Sequence, residues 1–567
     1  MAFDINKNHN HHFCLSRKRC FLILLLCNSI IAYIYYIHGQ NQSKKTENNA
    51  INPQNMHVNV KQKQYPIEAN QAINFIRSTL ENEYDHDDLI SFYNFVQQEF
   101  SLGLRCARKT KKIETTTQYN YTIYEQINDN ITTTRNENLE RPIPLTSQIP
   151  GSPAFTVLHL SDIHVDFAYT PGSQGDCSQP LCCRGGQPAP GHTGAGFWGD
   201  LRNCDIPYWT AEIMLQYASE LEKIDFIYYT GDLPPHNVWN QSREQQLYSL
   251  KTINELLGKT FPNKTFYSAV GNHEAAPCNL FPTPNVRSDN ISWLYEVLAD
   301  NWIKLGLPED TRETIERGGF YTTVIRPGLR LISLNMNYCS WENFWLFINS
   351  TDPLDQLQWM IQWLQYAEDH EEKVHIIGHV PPKQCLASFS WNFNKIVNRY
   401  ENIITGQFYA HTHNDEFVIN YDEIDQQRPI SMAYITPSLT TFSNLNPGYR
   451  VYRIDGNYPG SSYWVLDHRT VIMNLTATNI YNRTIFIDEY DARDAYDMEN
   501  LFPNDWHNLI ERLKNNIDGP LMGLVYQYYT KSYANGNQCD HSCRRGLLCD
   551  FITSRSEDPH ACDSIPN

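Results

Sequence analysis

The chain has 567 residues, long for one domain at the usual ~150 residues per unit. With 41% hydrophobic and 19% charged residues it can bury extended cores, which argues against a disordered tail or a multispan membrane protein. Its 45 Lys and Arg against 63 Asp and Glu leave a formal charge of -18, which repels a phosphate backbone and speaks against nucleic acid as a partner. Residues 21–37 form an apolar run behind Arg17, Lys18 and Arg19. The run lies between a signal-peptide core and a spanning helix in length and has no evident small-x-small cleavage site. Residues 1–38 are therefore read as a cytosolic stub plus a signal anchor, with a removed signal peptide as the other reading. Everything after Gly39 is expected in the secretory lumen, in a lysosomal or other acidic compartment or secreted. Nine Asn-x-Ser/Thr sequons, at Asn41, Asn120, Asn130, Asn240, Asn263, Asn290, Asn349, Asn474 and Asn482, agree with that. So does an even number of cysteines once Cys14, Cys20 and Cys27 are set aside. Disulfides are expected for the clusters Cys177, Cys182, Cys183, Cys204 and Cys539, Cys543, Cys549, Cys562, ahead of zinc knuckles, which need a reducing compartment and tighter paired spacings.

Residues 39–66 carry almost no large apolar side chains and read as a disordered linker. Across 67–107 apolar residues return at helical spacing (Ile73, Ile76, Leu80; Leu89, Phe92, Phe95, Val96, Phe100), which predicts two amphipathic helices, either packed on the main domain or facing lipid. A Thr/Asn/Pro-rich linker, 108–152, follows. From 153 to 474 short apolar runs at 155–160, 225–230, 265–270, 329–334, 373–378 and 403–410 alternate with helical patterns such as 208–222 and 355–369. That alternation predicts an α/β layered domain. From 475 to 567 the pattern turns helical again, at 506–517 and 520–529, and closes on the four-cysteine cluster, which predicts a small C-terminal helical domain.

Metal-binding residue types follow these predicted strands, where the carboxyl ends of an α/β sheet place a ligand crevice. In order they are Asp162-Ile163-His164, Gly231-Asp232 with His236 beyond, Gly271-Asn272-His273-Glu274, Gly378-His379 and His411-Thr412-His413. One histidine after a strand is ordinarily a hydrogen-bonded structural residue; five motifs in order at strand ends are not a chance pattern. Two divalent ions about 3.5–4 Å apart need a bridging carboxylate and surrounding imidazole or carboxamide ligands. Asp232 is the natural bridge. Asp162 and His164 alternate along an expected extended segment and would grip one ion from one side. His411 and His413 share that spacing.

The ordered set resembles the signature of the calcineurin-like metallophosphoesterases, and within them the chain is similar to the acid sphingomyelinases. The likeness runs from about 153 to 562 and includes segments with no metal role, among them Pro180-Leu181-Cys182-Cys183-Arg184, Glu342-Asn343-Phe344-Trp345 and Asn446-Pro447-Gly448-Tyr449. The resemblance implies a layered β-sandwich flanked by helices and a two-zinc site. Asp162, His164 and His413 would bind one ion, Asn272, His379 and His411 the other, and Asp232 both. It further implies attack on phosphorus by a water held between the ions, with His273 and His236 beside the phosphate and ceramide and phosphocholine as products. Disulfides Cys177–Cys182, Cys183–Cys204, Cys339–Cys385, Cys539–Cys543 and Cys549–Cys562 are implied too, which leaves Cys106 and Cys278 as an expected further pair. Two features depart from the family pattern. Ala410 stands where a glycine is usual, and the six cysteines of a saposin domain are absent between Gly39 and Pro153, where only Cys106 occurs.

The expected partners are a sphingolipid or another phosphodiester and a membrane surface, with a monomeric chain. A quaternary ammonium headgroup would want aromatic faces and a carboxylate, for which Glu342 and Tyr449 are the candidates, against plain roles as a solvated helix end and a core tyrosine. The competing function is cleavage of soluble phosphodiesters such as nucleotides with the same metals. A binding-only ectodomain is the reading from another class, and no ligand residue is missing to support it.

Overall fold

The six apolar runs expected as strands all form strands, and together with six strands not expected they build two six-stranded sheets among the described residues. The first contains β1 (Ala154–Leu160), β2 (Phe226–Tyr229), β3 (Phe266–Ser268), β10 (Gly448–Asp455), β11 (Val465–Met473) and β12 (Phe486–Asp491), in the order β12-β11-β10-β1-β2-β3. The second contains β4 (Tyr321–Arg326), β5 (Leu329–Ser333), β6 (Lys373–Ile377), β7 (Ile404–Tyr409), β8 (Glu416–Tyr421) and β9 (Pro429–Ile435), in the order β4-β5-β6-β7-β9-β8. This computed structural model describes residues 152–566 apart from 222, 285, 287–289, 457 and 534–537. The apolar run 21–37, the helices expected within 67–107 and Cys106 lie outside the described residues. No helix among the described residues is long and apolar enough to cross a membrane.

β1, β2 and β3 are parallel neighbours, as are β5, β6, β7 and β9. Parallel strands need crossovers, and helices supply them. Tyr208–Leu221 links β1 to β2, and Arg243–Thr260, started by a reciprocal Ser242/Gln245 capping box, links β2 to β3. Gln356–Asp369 and Ala387–Arg399 serve β6 and β7. Alternation along β6 sorts its side chains by layer. Val374 and Ile376 join Leu357, Met360 and Leu364 of the outer helix, while Ile377 joins the core between the sheets. His375 also points inward, where its Nδ1 lies 2.7 Å from the Tyr228 hydroxyl of the first sheet. Phe408 fills the middle of that layer, 5.0 Å from Tyr452 and 4.9 Å from Tyr228 between ring centroids. A fully buried ring of this kind contributes about 1.5–3 kcal/mol.

The C-terminal region is helical at Pro503–Asn515, Pro520–Tyr529 and His541–Phe551, with Trp506 and Phe551 packed on either side of Phe417 of β8. Within 475–567 the helical expectation fails at Phe486–Asp491, which pairs with β11 as the edge strand β12, because its aromatic and β-branched residues extend that sheet. Five disulfides are present among the described residues, Cys177–Cys182, Cys183–Cys204, Cys339–Cys385, Cys539–Cys543 and Cys549–Cys562, the pairs that the resemblance implies.

Candidate active site

Each of the parallel strands that face one another across the sandwich ends in a polar turn. Asp162 and His164 follow β1, Asp232 follows β2, Asn272 follows β3, His379 follows β6, and His411 and His413 follow β7. The structure brings all seven together. On one side the His379 Nε2 lies 3.1 Å from an Asp232 oxygen and 2.9 Å from the Asn272 carboxamide oxygen, which is also 2.9 Å from His411 Nδ1. On the other side His164 Nε2 lies 3.8 Å from Asp162 and 3.5 Å from Asp232, and His413 Nε2 lies 3.5 Å from Asp162. Two groups of donors thus share Asp232.

The segment carrying Asp162 and His164 is not extended, contrary to the expectation from its alternating pattern. Both residues are left-handed, with φ of 48° and 43°, and so are Asp232 (63°), His411 (73°) and His413 (66°). The chain must turn sharply at the strand end, and backbone bonds from Asp162 to Gly231 (3.0 Å) and from His164 to Asp232 (3.1 Å) fix the turn. Left-handed backbone disfavours non-glycine residues by about 1–2 kcal/mol each, and it persists where surrounding bonds over-determine it. Gly271 is needed for a different reason: a Cβ there would sit 2.0 Å from an Asp232 carboxylate oxygen. Ala410 is buried and not left-handed, and its N–H donates to the His379 carbonyl (2.9 Å), so its methyl group is accommodated.

Burial opposes charge on Asp162, yet the contact with His164 and the fields of His379 and His413 hold its carboxyl well below the usual range. Asp232 is likewise held low against its burial, by His379 and His273 among others. The same pairing, working against burial, raises His164 and His379 to about 9 each. His411 is pushed down to about 4 by burial and by the charge on His379. The centre therefore attracts positive charge. Asp162 Oδ1 and His164 Nε2 are buried without a hydrogen-bond partner. His164 and His379 each donate from Nδ1 to a backbone carbonyl, of Pro234 and Thr230, both at 2.7 Å, which turns Nε2 toward the cluster. Carboxylate, carboxamide and imidazole donors so oriented fit divalent metal ions.

Beside them stand two further histidines. His236 is anchored by Asp205, whose carboxylate accepts from the His236 backbone N–H (2.7 Å) and lies 2.8 Å from its Nδ1, and the ring stacks on Phe442 at 4.0 Å. His273 donates its backbone N–H to Asp232 (2.8 Å), its ring lies 4.8 Å from that of His164 and 4.5 Å from that of His236, and its Nδ1 is buried without a partner. Burial pushes both imidazoles well below the ordinary histidine range. Glu342 is near enough to feel the charge of Asp232, and burial raises its carboxyl pKa. Tyr449 is not brought to this site. It is a core residue of β10 whose hydroxyl has Tyr217 and Asp488 as its electrostatic neighbours, because the alternation of the strand turns it to the outer face. Asp205 and Phe442 escape a reading of the sequence alone. Asp205 sits after Cys204 in a loop without periodicity, so only its acidic side chain could have marked it.

Residues 155–415 match the calcineurin-like phosphoesterase family, and residues 428–558 match the acid sphingomyelin phosphodiesterase C-terminal region. Among curated relatives, the chain is 48% identical over 410 residues to a sphingomyelin phosphodiesterase of Bos taurus and 47% identical over 410 residues to one of Homo sapiens, each match covering 72% of this chain. The chain spans 65% and 64% of the length of those two proteins. It is 37% identical over 451 residues to sphingomyelin phosphodiesterase 2 of Caenorhabditis elegans, covering 75% of this chain and 73% of that one. With the two donor groups lying within the first matched region, the chain belongs to the sphingomyelin phosphodiesterase family of calcineurin-like phosphoesterases.

Proposed function

We propose that this protein is a zinc-dependent phosphodiesterase that hydrolyses sphingomyelin to ceramide and phosphocholine. The observation that carries the reading is the pair of donor groups sharing Asp232, with His236 and His273 alongside. Asp162, His164 and His413 would hold one ion, Asn272, His379 and His411 the other, and Asp232 both; an imidazole-rich donor set favours zinc. When bound, such ions supply Lewis acidity toward phosphoryl oxygens and make water a nucleophile at mild pH.

The chain's own residues do the rest. Ceramide departs as a basic alkoxide, so a proton must reach it, and His273 is the donor proposed. His236, fixed by Asp205, steadies the phosphate. Both imidazoles resist protonation when the site holds no anion, and an entering phosphodiester stabilises the proton on either. Glu342 offers negative charge to the quaternary ammonium, and Phe442 rather than Tyr449 offers the aromatic face. The disulfides and the exposed sequon residues Asn240, Asn263, Asn290, Asn349 and Asn482 support a glycosylated protein of the oxidising secretory lumen; that it acts as a monomer at a membrane surface is part of the proposal.

The test is to incubate the purified protein with sphingomyelin, phosphatidylcholine and nucleotide phosphodiesters, at about pH 5 and about pH 7, with and without detergent, and to identify the products. Phosphocholine and ceramide as the main products uphold the reading. Preferential cleavage of nucleotides would replace it with the soluble-substrate one.

A further inference from the structure

Lysine is among the residues least often buried, yet Lys531, just past the helix Pro520–Tyr529, has no exposed surface. Its ammonium donates to the Ser438 carbonyl (2.8 Å) and hydroxyl (2.7 Å). Its backbone is left-handed (φ 51°), and its carbonyl accepts from the Asn446 side chain (2.9 Å) at the far end of the same loop. Beside the stack of Phe442 on His236, three hydrogen bonds tie that loop to the site. Ser438 N–H donates to the His413 carbonyl (3.3 Å), Thr440 N–H to the Asp162 carbonyl (2.9 Å), and the Thr440 hydroxyl to Asp205 (2.9 Å), the carboxylate that holds His236. Within the loop the Ser438 hydroxyl donates to the Thr440 carbonyl (3.1 Å), so the contact with Lys531 is relayed to all three. The electrostatics agree: burial pushes the Lys531 amine down to about 7 while Asp162, Glu489 and Asp415 pull it up, so the metal centre is within its field.

We infer that Lys531 is a positioning residue through which the C-terminal region completes the metal centre, by clamping the Ser438 loop and so holding His413 against Asp162. The inference rests on the two-metal reading of the site. A lysine that merely packs would support the fold alone. A positioning lysine supports one ion, that of Asp162, His164 and His413, more than the other.

Zinc bound per chain is measured by elemental analysis after dialysis against buffered zinc, together with the rise in melting temperature on adding zinc, for the wild type, Lys531→Met, Lys531→Arg and Ser438→Ala. The wild type is expected to bind two ions; a wild type that binds none sinks the metal reading itself, a result distinct from failure of the lysine's role, which shows only in the variants. Lys531→Met, with far-ultraviolet circular dichroism unchanged, is expected to bind one ion as before and the other about 10- to 100-fold more weakly, with Lys531→Arg in between. Two ions bound with wild-type affinity by Lys531→Met, or a lower melting temperature with zinc affinity unchanged, would overturn the inference. Should Lys531→Met not fold, Ser438→Ala decides: an ion weakened about 3- to 10-fold upholds the inference, and unchanged affinity overturns it.

Discussion

The two sheets meet at one site and bring different chemistry to it. β1, β2 and β3 end in both carboxylates, a carboxamide and a single one of the clustered histidines; β6 and β7 end in imidazoles alone. His379 and His411 belong to the same sheet, with ring centroids 5.1 Å apart, yet one is held up to about 9 and the other pushed down to about 4. His379 is raised by its contact with Asp232 across the sandwich, whereas burial and the charge of His379 in its own sheet push His411 down. The charge state of His379 therefore depends on the other sheet, and the site is a property of how the layers pack.

The hardest test of that view removes the charge that crosses the layers. Asp232→Asn is expected to lower turnover on every substrate by roughly 1,000-fold or more and to release metal, read by elemental analysis; a normal rate with two ions retained would show that the donor groups do not share this residue. His273→Ala, on the side shared with His236, is expected to lose on the order of 100-fold on sphingomyelin and much less on a nitrophenyl phosphocholine ester, whose leaving group is stable unprotonated. If instead His236→Ala discriminates between the two substrates, the roles of the two histidines are exchanged. Asp205→Asn leaves His236 in place without its anchoring carboxylate, and a drop of about 10-fold with a shifted pH profile is expected, whereas an unchanged profile would make Asp205 only a loop fastener.

Smaller effects probe the layer contact itself. Tyr228→Phe leaves His375 Nδ1 buried without its partner, so stability should fall by about 1–3 kcal/mol in urea titration. His375 is pushed down to about 4 by burial, from 6.5. Between those values the unfolded chain takes up a proton that the folded chain refuses, so this residue's share of stability is complete above about 6.5 and is lost as pH falls toward about 4. His375→Gln should flatten that part of the stability curve, and an unaltered slope would place the proton uptake elsewhere.

Much of the cluster was legible because its residues sit just past strands whose apolar runs are obvious in the sequence. Strand ends are where such a sheet exposes polar groups, so Asp162, Asp232, Asn272, His379 and His411 could be found by type and place. Conformation was not legible: nothing in Asp162-Ile163-His164 distinguishes an extended pair from two left-handed residues, because the bonds that force the turn come from Gly231 and Asp232, some seventy positions away. Tyr449 misled because an aromatic residue in a strand can face either layer, and only the pairing of β10 with β1 decides which. Lys531 was invisible for the opposite reason, since its type argues for solvent.

Asp205 follows Cys204, whose carbonyl accepts the Thr441 hydroxyl (2.6 Å) and whose sulfur is tied to Cys183. The loop that aims His236 is thus stapled at the residue next to its anchor. Without the Cys183–Cys204 bond, the loop would be held by its hydrogen bonds alone, so reduction is expected to loosen the anchoring of His236. Thiol titration of a sample, set beside its activity, shows whether oxidation of this pair and function rise together.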